Sequence, residues 1–168
     1  MWATPGAGVM ADRGSDPQPD LGAGVAHQRV HVALPPPEAF RLFTDGIQQW
    51  WPLEEGYSYG GQRAKEIHLE ARVGGRFFER FVDGDEFEVG RVRVCEPPHR
   101  ILFTWKDPDW SAATEVEVTF AAQGDGTLVS LSHRGFDRLG PDWEAVAARW
   151  AGGWPLVLDA FAQGASHQ

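Results

Sequence analysis

PDWEAVAARWAGGWPLVLDAF, residues 141–161, has the outline of an amphipathic helix. Its large apolar residues fall at Trp143, Val146, Trp150, Trp154, Val157 and Phe161, in steps of three, four, four, three and four. A 3.6-residue period keeps such a stripe on one side of a helix. Three tryptophans share that face, and each ring removes roughly 150–250 Å² from water, a gross gain of roughly 4–6 kcal/mol before entropy is subtracted. A face of this kind needs a wide apolar cover. The stripe is interrupted by Gly152-Gly153 and Pro155. Pro155 cannot donate to the carbonyl of Ala151 and its ring crowds that carbonyl, at a cost of about 3 kcal/mol in a straight helix. The expectation is a kink or break at Gly152 to Trp154, giving two segments with one shared apolar face and an entrance between them.

The cover comes from upstream, where the period is two. Val30 and Val32 alternate with Arg29 and His31 in a strand from Ala26 to Leu34. Pro35-Pro36-Pro37 ends it and starts a short helix to Phe43 with Phe40 and Phe43 inward, because proline is tolerated in the first helical turn. After Asp45-Gly46, Ile47 to Trp51 fits one further turn, and Glu54 to Gln62 reads as a glycine-rich loop holding both tyrosines, Tyr57 and Tyr59. Six strands then follow. Ile67 and Leu69 mark the first, Arg76 to Phe81 the second, and Asp83-Gly84 turns into Phe87 to Cys95. Arg100 to Trp105, Val116 to Phe120 and Val129 to His133 complete the series. Short turns between them demand an antiparallel meander, since parallel neighbours need crossovers of about a dozen residues or more. The order is α+β: a seven-stranded curved antiparallel sheet around one long C-terminal helix, with two short helices after the first strand.

Several motifs in this frame resemble one family. Gln49-Trp50-Trp51-Pro52, Arg72-Val73-Gly74-Gly75-Arg76 and Glu96-Pro97-Pro98, with Phe43-Thr44 before them and Trp105 after, occur together in that order. The combination resembles the bacterial branch of the activator of Hsp90 ATPase homologue 1-like (AHSA1) family, within the SRPBCC, or START/Bet v 1-like, superfamily. The resemblance implies a helix-grip fold over residues 25–165 and a cavity between sheet and helix for hydrophobic or aromatic small molecules. It does not imply one chemistry, because such folds host many functions. The branch resembles proteins that accompany bacterial polyketide pathways, including self-resistance proteins that sequester enediyne antibiotics.

Composition narrows the function classes. A net charge of -9 over 168 residues argues against nucleic acid and anionic membranes as partners, because phosphate binding relies on clustered Lys and Arg. The apolar runs are too short to span a bilayer. One cysteine, Cys95, excludes an internal disulfide and any multi-cysteine metal site, and no His pair has ligand spacing, so neither metal nor cofactor is expected. There is no Gly-x-Ser-x-Gly elbow. Residues 1–24 mix Gly, Pro, Ala, Asp and Ser without periodicity and read as a disordered tail lacking an export signal, with Met10 as an alternative start. A cytoplasmic monomer or homodimer is expected.

Inward parity supplies the candidate site. Trp50, Trp51, Tyr57, Tyr59, Phe77, Phe103, Trp105, Val118, Phe120, Trp150, Trp154 and Leu158 are expected to wall the cavity, the first four as a mobile aromatic gate. Each also has a plain reading as core. Glu79 and His133 are the acid–base candidates. For His133 the alternatives are a buried histidine satisfied by a neighbour, or a ligand contact or proton shuttle. For Glu79 they are pairing with Arg76, Arg91 or Arg93, or a catalytic carboxylate. Three functions follow: a carrier or resistance protein for a bulky hydrophobic or aromatic ligand such as a polyketide or enediyne, a polyketide aromatase or cyclase, and an Hsp90-associated co-chaperone.

Overall fold

The computed structural model describes residues 24–168, so the tail expected over residues 1–24, with the alternative start at Met10, lies almost wholly outside the described residues. Seven strands form one antiparallel sheet in the order β1-β7-β6-β5-β4-β3-β2. They are β1 (Ala26–Val32), β2 (Ala64–Leu69), β3 (Arg76–Phe81), β4 (Glu86–Glu96), β5 (Arg100–Trp105), β6 (Thr114–Gln123) and β7 (Gly126–Arg134). The meander from β2 to β7 follows from the short turns, and β1 closes the series by pairing with β7 through Val30↔Val129.

Alternation sets the two faces. Along β6, Thr114, Val116, Val118 and Phe120 are buried, whereas Glu115 and Glu117 face outward, where they meet Arg134 and Arg100. The sheet curves. Register shifts between Phe77 and Phe78 and between Val92 and Val94 add the extra residues that bend strands. Gly90 lies beside the first shift, and a Cβ there would sit 1.6 Å from the Thr104 carbonyl oxygen, so no larger residue permits that approach.

The helix α1 (Pro36–Phe43) begins on the proline run and buries Phe40, Leu42 and Phe43. Ile47–Gln49, Leu53–Glu55 and Gly61–Arg63 then wind as 3-10 turns between the glycines and Pro52. Gln48 in the first of these caps the exposed edge of β2: its Oε1 accepts from the Ile67 amide at 2.7 Å and its Nε2 donates to the Lys65 carbonyl at 3.3 Å.

The C-terminal helix α2 (Trp143–Ser166) runs 24 residues without interruption. Of the two outcomes expected at Gly152 to Trp154, the break does not occur. Trp150, Trp154, Val157, Leu158 and Phe161 are all buried against the sheet on both sides of Pro155, and holding this face in register offsets the loss of one helical hydrogen bond. Trp143 and Val146, at the start of the stripe, are only partly buried.

Candidate functional site

The buried face between β5, β7 and α2 holds a chain of hydrogen bonds inside an aromatic cluster. His133 is fully buried, opposite Val116 in the β6–β7 register. Trp154 Nε1 donates to its Nδ1 at 3.2 Å. That nitrogen is therefore an acceptor, and the hydrogen-bond network assigns the ring proton to Nε2, which lies 2.7 Å from Thr114 Oγ1. The Thr114 hydroxyl in turn donates to the Trp105 carbonyl at 3.0 Å. Burial pushes the His133 pKa down to about 3. Both ring nitrogens are engaged and burial favours the neutral ring, as in a core histidine satisfied by its neighbours.

Glu79 is only 2% exposed. The arginine partners expected for it lie elsewhere: Arg76 pairs with Glu86 at 2.8 Å and Glu70 at 3.5 Å, Arg91 pairs with Glu88 at 2.8 Å, and Arg93 is exposed. Strand parity explains the difference, because Glu79 points inward with Phe77 while Arg76 and Arg80 sit over Phe78 on the outer face. The partners of Glu79 come from the glycine-rich loop. Its Oε2 accepts from the Tyr59 amide at 2.8 Å, and the Ser58 hydroxyl and the Gly60 amide, which donates to that hydroxyl at 2.9 Å, lie beside it. Burial raises its pKa to about 7, with those three donors limiting the rise.

Tyr59 links this carboxylate to the cluster. Its hydroxyl accepts from Trp105 Nε1 at 2.8 Å and lies beside the Asp107 carboxylate, and its ring lies 4.6 Å from that of Phe87. Burial raises the Tyr59 pKa well above the ordinary phenol value and raises that of Asp107 as well. Asp107, 4% exposed, also accepts from the Asp109 amide at 3.1 Å.

The aromatic residues expected to wall an open cavity meet one another. Trp105 lies 5.1 Å from Trp150, 5.6 Å from Trp154, 5.2 Å from Phe77 and 6.2 Å from Trp51, and Phe77 is 5.2 Å from Phe103. Such edge-on and tilted spacings are those of packed rings. Trp50 and Phe120 extend the cluster through Phe43 and Phe161, with Trp50 5.6 Å from Trp51. The two gate tryptophans are tied down: Trp50 Nε1 donates to the Leu42 carbonyl and Trp51 Nε1 to the Tyr57 carbonyl. Tyr57, Val118 and Leu158 are buried in the same core.

Open space lies at the ends of this core. A cleft of about 340 Å³ at the start of α2 is lined by Asp107, Asp109, Trp110, Val146, Arg149 and Trp150. Trp110 stacks edge-on against Trp150 at 5.4 Å, so the cleft wall continues directly into the core cluster. A second depression of about 430 Å³, beside Trp50, Trp51 and the far end of α2, has a mainly polar rim that includes Gln48, Glu54, Lys65 and Gln163. The first cleft thus combines aromatic walls with a nearly buried carboxyl. Asp107, Trp110 and Thr114 are not singled out by sequence pattern; a tryptophan inside the polar Asp107 to Ser111 loop is the one signal that points to them. Among the described residues no group of three metal-ligating side chains occurs, and no helix is long and apolar enough to cross a membrane.

A curved antiparallel sheet gripping a long C-terminal helix defines a helix-grip protein of the SRPBCC superfamily. Residues 33–165 match the model of the activator of Hsp90 ATPase homolog 1-like protein family, and the chain belongs to that family. The crystallised anthrahydroquino-Gama-pyrone synthase Txn09, complexed with SUM, is 30% identical with a TM-score of 0.56, over 83% of this chain and 96% of that one. Protein MLL2253 from Mesorhizobium loti shares 20% identity and a TM-score of 0.64, over 86% and 98% of the two chains. PFC0360w, an HSP90 activator from Plasmodium falciparum, shares 23% identity and a TM-score of 0.56, over 80% and 91%. A search of curated proteins finds no match.

Proposed function

We propose that the protein binds a bulky aromatic or hydrophobic small molecule, of the polyketide or enediyne type, as a cytoplasmic sequestration or self-resistance protein. The observation that carries this reading is the cleft of about 340 Å³ whose tryptophan walls lead into the core and whose polar groups are Asp107, Asp109, Ser111 and Arg149. Small-molecule sites are typically concave, mostly apolar and equipped with a few placed polar groups, with volumes of roughly 300–1,000 Å³. Likeness to a synthase named for an anthrahydroquinone-type product supports a polycyclic aromatic ligand. Tryptophan fluorescence tests it. Hydroxyanthraquinones and related polyketides are expected to quench with dissociation constants on the order of micromolar or tighter. No quenching across such a panel overturns the reading.

A catalytic role, cyclisation or aromatisation of a polyketide chain, is favoured by one observation: Glu79 is a buried carboxyl whose pKa, about 7, suits proton transfer near neutrality. His133 takes no part in this version. Turnover of a linear poly-ketone surrogate that disappears in Glu79→Ala supports it, and binding without turnover returns the case to sequestration. A co-chaperone role has only the family and a fold likeness at 23% identity behind it. Stoichiometric recovery of Hsp90 in a pull-down would replace the ligand reading.

A further inference from the structure

We propose that Tyr59 is a built-in occupant of a phenol-recognition site, and that a neutral hydroxylated aromatic ligand binds by displacing it together with the Tyr59–Gly60 backbone. This rests on the small-molecule reading above and names the chemistry of its inner end. The site has three parts, none belonging to the segment that carries Tyr59. Trp105 at the end of β5 donates through Nε1, the Asp107 carboxylate lies beside the hydroxyl as an acceptor, and Phe87 on β4 presents its ring at 4.6 Å. A donor, an acceptor and an aromatic platform are what a phenol requires, since its hydroxyl both accepts and donates.

The segment itself is attached in a way that allows exchange. Among the described residues Ser58 and Tyr59 make no backbone–backbone hydrogen bond. The Tyr59 amide is held by the Glu79 carboxylate, and the flanking residues are held by Trp51 Nε1 on the Tyr57 carbonyl, the Tyr57 amide on the Pro52 carbonyl and the Arg63 amide on the Gly60 carbonyl. Two glycines in the left-handed region bracket it, Gly56 at φ 94° and Gly61 at φ 55°. Glycine absorbs large backbone rotations that other residues resist, so these two positions serve as hinges. Tyr59 is only partly buried, and the Asp107 beside its hydroxyl is also a wall of the cleft with Trp110 and Trp150. A ligand entering that cleft therefore reaches the acceptor that Tyr59 occupies.

Charge sets the ligand class. Asp107 and Glu79 both lie close enough to Tyr59 to oppose its ionisation, and the same field disfavours a phenolate, carboxylate or phosphate in its place. The ligand is a flat, neutral ring with a hydroxyl that donates to Asp107. A ligand hydroxyl takes over the contacts of the Tyr59 hydroxyl with Trp105 and Asp107, leaving the Tyr59 amide bond to Glu79 and the Gly60 amide bond to Ser58 as the main cost of opening.

The full-length protein can be titrated with 2-naphthol and with 2-methoxynaphthalene, which retains the acceptor oxygen but lacks the donor. Tryptophan quenching is expected to report about tenfold tighter binding of 2-naphthol, and Asp107→Ala to remove that preference. Amide hydrogen exchange at Tyr59 and Gly60 is expected to accelerate about tenfold when 2-naphthol binds. Tyr59→Phe, which keeps the ring but removes the competing hydroxyl, is expected to bind 2-naphthol about fivefold tighter than wild type. Binding of 2-naphthol with the Tyr59 and Gly60 amides still protected, or equal affinity for the two probes, overturns the displacement. If hydroxyanthraquinones quench while these probes show no preference, only the displacement fails. If nothing quenches, the binding reading fails with it.

Discussion

Glu79 and His133 are both buried and titratable, yet their surroundings drive them in opposite directions. Glu79 has its pKa raised from 4.5 to about 7, so the folded protein holds this proton more tightly than the unfolded chain does. The stability contributed by protonation is fully present below the unfolded value and is lost as pH rises through the folded one. Wild type is therefore expected to lose on the order of 3 kcal/mol relative to Glu79→Gln between about pH 4.5 and 7. Urea unfolding of both proteins at pH 5 and pH 8 measures this, and parallel stabilities would show that the carboxyl is not desolvated. His133 is expected to remain neutral with its proton on Nε2 throughout this range, visible in its ring nitrogen shifts; a titration near the ordinary histidine value would contradict the Trp154 hydrogen bond. His133→Ala removes its hydrogen bonds with Trp154 and Thr114 and opens a cavity, at a cost of about 3 kcal/mol. Strand parity alone is enough to place both residues inward. The partners of Glu79 are not legible in the same way, because loop amides leave no periodic trace in a sequence and an arginine is the more obvious partner for a buried carboxylate.

Alternation and turn chemistry expose nearly every strand, since each side chain in a half-buried strand reports which face it occupies. The helix α2 is legible in its stripe but not in its continuity. Local cost at Pro155 argues for interruption, and only the paired burial of Trp150 and Trp154 before it with Val157 and Phe161 after it shows what holds the helix together. Gly152 tests the balance from the other side. It is exposed, and a Cβ there meets nothing within 4 Å, so Gly152→Ala is expected to stabilise the protein by about 1 kcal/mol. A thermal melt checks the sign. A lower melting temperature would mean that the helix departs from regular geometry at that residue.

Across the whole molecule, the sequence pattern implies a sheet wrapped around a helix but not how the space between them is filled. Parity tells the side of a sheet, not the distance across it, and rings that all face inward can either wall a cavity or close on each other. Here Trp51, Phe77, Trp105, Trp150 and Trp154 pack on each other, and a cleft opens beside them where Trp110 and Asp107 meet the start of α2. The loop that forms half of this cleft has no periodicity to read, so its residues carry no pattern that marks them as a site. Trp110→Ala removes an aromatic wall without touching the buried cluster's hydrogen bonds, and it is expected to weaken ligand binding about tenfold. Titration calorimetry with a hydroxyanthraquinone on wild type and Trp110→Ala decides whether the cleft is the ligand site. One-to-one binding in wild type that weakens about tenfold in the variant is the expected result; equal affinity in the two proteins, or no binding to wild type, would contradict it.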